Sequence, residues 1–253
     1  MKYNRFLPLI ISIFTQILLE VFVFIPKSIY VVLLIILLLF FFSIRQFVLA
    51  GGKKEKIFPL FILPGIFTIG AVVFSTMIAN KMVIQILIFF NTSFIYFYFR
   101  AIYYYLVKTE LYQVYFLQNL SSYGNFLAFY FCVSAVYGLN AFLKVSIWIL
   151  IILLMLVIMA IMYQILWTYK IDLKTGYFYI LLVCLVLVEI AWVASFLTLS
   201  YYVLGLLLAQ CYYILTGIIK LHLRNRLSNR NLKLYLIYGF LSIFLVLLTA
   251  RWI

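Results

Sequence analysis

The chain alternates long apolar runs with short polar gaps, and inside the runs polar and apolar positions do not alternate. The segment VVLLIILLLFFF (31 to 42) shows the pattern. A half-buried strand repeats with period two, and the strands of a membrane barrel do the same, so these runs predict helices that are apolar on all sides. A bilayer core of about 30 Å takes roughly 17 to 25 such residues. Cutting at charges, prolines and polar clusters predicts nine spans, at 6–25, 29–49, 57–78, 82–99, 125–143, 145–167, 177–199, 202–220 and 232–250. The seventh and eighth are separated only by SYY (200 to 202), the weakest of the boundaries.

Between the fourth and fifth spans lies LVKTELYQVYFLQNLSSYGN (106 to 125), too polar to cross a membrane and too apolar for a free loop. Leu111, Val114, Tyr115 and Gln118 fall at helical spacing, which predicts either a short interfacial helix or a loop with aromatic anchors. Pro64-Gly65 inside the third span predicts a kink, because proline removes one helical hydrogen bond and crowds the preceding turn. Small residues four apart, Ser134 and Gly138, Ala191 and Ser195, Gly205 and Ala209, are compatible with close helix approach.

Composition supports the same class. Of 253 residues 69% are hydrophobic and 9% charged, against about 45–50% and 25% in a soluble domain. The expected fold is an all-α integral membrane protein, one polytopic domain over residues 1–253 built as a bundle of nine transmembrane helices, located in the cell membrane. The amino terminus, with basic residues before about twenty apolar ones and no small-x-small cleavage site, reads as a retained first span.

The net charge of +14 raises nucleic acid as a partner, but the cations sit in the short gaps rather than on one solvated face, so no nucleic acid is expected. They serve instead to orient the chain. With the amino terminus in the cytoplasm, fifteen of the nineteen Lys and Arg residues fall on the cytoplasmic side, leaving Lys27, Lys81, Lys144 and Arg251 opposite. Nine spans then place the carboxyl terminus outside. The basic loop KLHLRNRLSNRNLK (220 to 233) is a candidate contact for anionic lipid headgroups through Arg224, Arg226 and Arg230, or simply an orientation signal.

Candidate chemistry is sparse. Cys132, Cys184 and Cys211 are an odd number inside apolar runs with no C-x-x-C pair, and no metal or cofactor is expected. The five acidic residues are scattered, without paired carboxylates, H-E-x-x-H or a nucleophile elbow, which argues against an enzyme. Glu189, predicted at the centre of the seventh span, is the exception that needs explaining, because an acidic group there costs about 2.5–3.5 kcal/mol. Gln16, Asn91 and Gln210 stand at similar predicted depth in three other spans, and Trp192 shares a face with Glu189. These residues are expected to converge on a buried polar site binding a substrate or ion, or to act as interhelical hydrogen bonds. Ser12, Gln16 and Glu20 also recur at i, i+4 and i+8 on one face of the first span. The function expected is a permease-like or channel-like component. The alternatives are a scaffold subunit contacting other membrane proteins or, behind it, a lipid-processing enzyme.

Overall fold

The computed structural model describes residues 5–52, 55–113, 115–224 and 227–250. Lys2, Lys53, Lys54, Val114, Arg226 and Arg251, which enter the expectations above, lie outside them. The described chain is helical, with α1 Leu7–Phe24, α2 Ile29–Gly51, α3 Ile57–Ser75, α4 Lys81–Leu106, α5 Phe116–Leu143, α6 Ile147–Thr168, α7 Leu173–Ala194, α8 Tyr201–Leu223 and α9 Asn229–Thr249. Among the described residues nine helices are long and apolar enough to cross a membrane.

Among the boundaries that differ from the hydropathy cuts, three have a clear local reason. Helix α4 runs on through Arg100 to Leu106, because the guanidinium is accommodated by its own helix: it donates to the Tyr96 hydroxyl at 3.4 Å and lies 5.6 Å from the centre of the Tyr104 ring, one turn to each side. The segment expected as either a short interfacial helix or a loop with aromatic anchors is a single 3-10 turn, Thr109–Leu111, after which α5 starts at Phe116 and absorbs the remainder. Tyr115, with φ of 67°, makes the corner between them, and the Leu117 N–H donates to the Tyr112 hydroxyl at 3.3 Å. Helix α7 stops at Ala194 although the apolar run continues to Leu199. Ser195 caps it, its hydroxyl donating back to the Trp192 carbonyl at 2.6 Å.

The chain divides into two compact units, Met1–Asn125 and Phe126–Ile253, the division falling within α5. In the first unit α3 is the core helix, mostly buried from Pro59 to Ser75 with Ile69 its one exposed residue there, and packed on α2 and α4. Its apolar length and small residues suit that place, and α4 meets it with aromatic rings: Phe67 stacks on Phe94 at 4.2 Å, and Phe94 on Tyr98 at 6.0 Å. Helix α3 continues through Pro64. Helix α1 lies along α4 and α2. At the end of α2, Gly52 takes the left-handed conformation (φ 63°) that terminates a helix without a Cβ penalty.

In the second unit α6, α7, α8 and α9 pack in chain order, as short connections require of antiparallel neighbours. Helix α5 joins them through Phe129 stacked on Tyr212 at 4.6 Å and the Tyr137 hydroxyl donating to the Ala191 carbonyl at 2.7 Å. A Cβ built on Gly205 of α8 would collide with the Ser134 hydroxyl of α5, so the small-residue spacing on these two helices marks a real close approach. Helix α9 is peripheral, with Gly239 its one buried residue among those described.

Candidate functional site

The polar side chains of the first unit assemble between α1 and α4. Ser12, Gln16 and Glu20 recur one turn apart on α1, and all three face α4. The Ser12 hydroxyl donates to the Thr92 carbonyl at 2.9 Å, and the Thr92 hydroxyl donates to Gln16 Oε1 at 2.7 Å. The Gln16 amide donates to Glu20 Oε1 at 3.1 Å, and the Gln85 amide donates to Glu20 Oε2 at 2.9 Å. Both carboxylate oxygens of Glu20 are therefore held by carboxamide N–H groups, one from each helix.

This ladder climbs about 12 Å along α1 at 1.5 Å per residue. Gln16 and Thr92 lie well inside their helices, whereas Glu20 is four residues from the end of α1 and Gln85 four from the start of α4. Exposure follows the same gradient: Thr92 is buried, Gln16 and Glu20 are half-buried, and Gln85 is exposed. The result is a polar seam that opens at one end of the helices and closes at Thr92.

Asn91 stands beside the seam on the α3 side of α4. It is 2% exposed, and its Oδ1 accepts from the Thr68 hydroxyl of α3 at 3.4 Å. Asn91 and Ser75 are the polar residues of a small cavity whose apolar lining includes Leu19, Phe22, Val72 and Ile88. The cavity has room for about one water molecule.

Glu189 stands on α7, in the second unit. The packed face of α7 is Val183, Cys184, Leu187, Ala191 and Ala194, and Glu189 falls on the opposite, exposed face. Among the described residues no hydrogen bond or ion pair reaches it, from Gln210 of the same unit included. Its depth also differs from that expected. Because α7 ends at Ala194, Glu189 sits five residues from a helix end, about 7–8 Å along the axis, rather than at the centre. Trp192 shares its face as expected and is 42% exposed, its ring 6.3 Å from Trp148 and 5.5 Å from Phe196. Gln16 and Asn91 belong to the first unit, Glu189, Trp192 and Gln210 to the second. Gln210 Oε1 is buried without a hydrogen-bond partner.

Of the basic loop, Arg224 caps α8 and lies 5.2 Å from the centre of the Tyr169 ring, while Arg230 is exposed in the first turn of α9. Arg226 lies outside the described residues. Among the described residues no three His, Cys, Asp or Glu side chains are grouped to hold a metal ion.

Helices of membrane-crossing length carrying a one-ended polar seam define the structural class. Over residues 48–249 the chain matches the family described as Protein of unknown function (DUF5656), and it belongs to that family. The match takes in α3 to α9, including Gln85, Thr92 and Glu189, and leaves α1 outside. No curated protein and no solved structure matches the chain.

Proposed function

We propose that this is a multi-pass protein of the cell membrane that takes a small cation, or a small polar molecule bearing positive charge, at the Glu20 seam of the first unit. The observation that carries this reading is the bracketing of Glu20 by Gln16 and Gln85 at the open end of a hydrogen-bonded seam. Carboxamides alone would bind the two helices together. A carboxylate adds a charge at the mouth of the seam, four residues from the end of α1, where it can draw a cation from water. The Glu20, Gln16 and Thr92 oxygens supply the hard ligands a small cation prefers.

The amino terminus lies in the cytoplasm and the carboxyl terminus outside, in keeping with the gathering of Lys and Arg in alternate gaps. In that orientation the end of α1 and the start of α4 face outward, so the seam opens to the exterior. Single cysteines at positions 16, 20 and 85, in a background with Cys132, Cys184 and Cys211 replaced, test this. A membrane-impermeant thiol reagent added outside labels 85 and 20 faster than 16. Equal protection of all three means that the seam is a dry helix contact.

A second reading, a subunit of a membrane complex, is favoured by the outer face of α7. Glu189, Trp192 and Phe196 there stand exposed beside Trp148, an arrangement suited to a neighbouring helix that brings a cation or amide to the carboxyl group. On this reading Glu189→Leu leaves the protein folded but removes a co-purifying membrane partner.

A further inference from the structure

A second cluster lies in the other unit, where α6 and α8 end and α7 begins. Tyr169 is the residue that caps α6. The Lys220 ammonium stands 5.3 Å and the Arg224 guanidinium 5.2 Å from the centre of its ring. Both distances are within the roughly 6 Å at which an aromatic face attracts a cation. Lys220 and Arg224 are one turn apart on the same side of α8, a spacing at which like charges repel. The ring and the carbonyl end of α8 offset part of that repulsion.

The surroundings add positive charge and little that is negative. Lys170, Lys174, Arg230 and Lys233 belong to the same end of these helices. Asp172 is the one acidic residue among those described between α6 and α9, Glu189 at the far end of α7 apart. It is engaged as the cap of α7, accepting from the Lys174 N–H at 3.4 Å. Arg224 makes no ion pair among the described residues. Its planar fork, oriented by the ring, keeps N–H donors for an acceptor that the chain does not supply.

The geometry points to a binding site for the phosphate group of an anionic lipid, held by Lys220 and Arg224 with Tyr169 as the platform that positions both. An oxyanion bridging the two cations removes their repulsion and takes the bidentate hydrogen bonds for which arginine is suited. At the ends of apolar helices the group lies at headgroup depth, where each cation contributes attraction to an anionic surface. The inference is independent of the Glu20 seam, which is in the other unit.

The full-length protein in detergent micelles doped with phosphatidylglycerol, analysed by native mass spectrometry and by quenching of a labelled phosphatidylglycerol, provides the test. The double variant K220Q/R224Q should bind this lipid at least about tenfold more weakly than the parent, and Tyr169→Leu should weaken it in the same direction. The comparison variant K170Q/K174Q removes equal charge from two exposed positions at the same end and should weaken binding clearly less than K220Q/R224Q does. Arg224→Gln alone, at the helix end, carries the same expectation should the double variant fail to fold. Inorganic phosphate at millimolar concentration should displace little of the lipid; displacement by it alone assigns the site to free phosphate and overturns the lipid reading. Equal weakening in K170Q/K174Q, or none in K220Q/R224Q, overturns the site itself.

Discussion

The Tyr98 hydroxyl of α4 donates to the Leu60 carbonyl of α3 at 3.1 Å, and Leu60 is the residue whose helical partner would be the missing N–H of Pro64. Proline at position 64 leaves one acceptor unfilled at a buried turn of α3, and the neighbouring helix supplies the donor. Tyr98→Phe therefore leaves a buried carbonyl unpaired and lowers stability by about 1–3 kcal/mol. Adding Pro64→Ala restores a backbone N–H at that turn and recovers part of the loss. Thermal denaturation of the two single variants and the double variant gives the coupling directly; strictly additive losses would show that the two residues act separately.

The close approach of Gly205 to Ser134 makes a second expectation. Besides the hydroxyl, the Ser134 Cα lies 3.1 Å from where a Cβ at position 205 would stand, so rotating the serine does not relieve the clash. Gly205→Ala forces α5 and α8 apart and costs about 1–3 kcal/mol, measured as a fall in the thermal midpoint. Ser134→Ala is mild by comparison, since it leaves the α-carbon clearance unchanged.

Orientation is checked by labelling from each side of the membrane. Cysteines at Lys81 and Lys144 should react with an impermeant reagent from outside, and cysteines at Lys174 and Arg230 only after permeabilisation. Labelling of Arg230→Cys from outside would reverse the orientation of α8 and α9.

Glu189 gives a prediction opposite to that for a bundle hydrogen bond. The side chain is exposed, near a helix end, and without a partner among the described residues. Glu189→Gln and Glu189→Leu should both change the stability of the isolated protein by no more than about 0.5 kcal/mol. A loss above 1 kcal/mol for the leucine variant alone would place the carboxyl group in a polar contact after all.

Much of the architecture was legible because apolar runs of membrane-crossing length leave few alternatives. The helix ends were not. At α7 nothing in AWVASFLTLS marks a stop: there is no glycine or proline, and hydropathy stays high past Ala194. With α7 ending at Ala194, Glu189 stands five residues from a helix end rather than at the midplane that the run to Leu199 suggests. On α1, the recurrence of Ser12, Gln16 and Glu20 did disclose a polar face, because three polar residues one turn apart need a common partner. The partner itself was hidden. Thr92 also bonds its own helix through the Ile88 and Phe89 carbonyls, and Gln85 lies one turn from a helix start, where a polar residue needs no explanation. Nor could spacing within one helix tell which of the other helices lies alongside it.

The most direct test of the Glu20 seam is flux of protons, sodium and potassium into liposomes containing the purified protein, compared between the parent and Glu20→Gln, with thermal stability measured on the same samples. The substitution keeps the shape and an oxygen acceptor for Gln16 or Gln85 but removes the charge. The account predicts that flux of at least one of these cations exceeds that of empty liposomes, and that Glu20→Gln lowers it about tenfold or more, a barrier change of about 1.4 kcal/mol, with the thermal midpoint nearly unchanged. Parental flux in Glu20→Gln, or no flux above empty liposomes for any of the three cations in the parent, would contradict it.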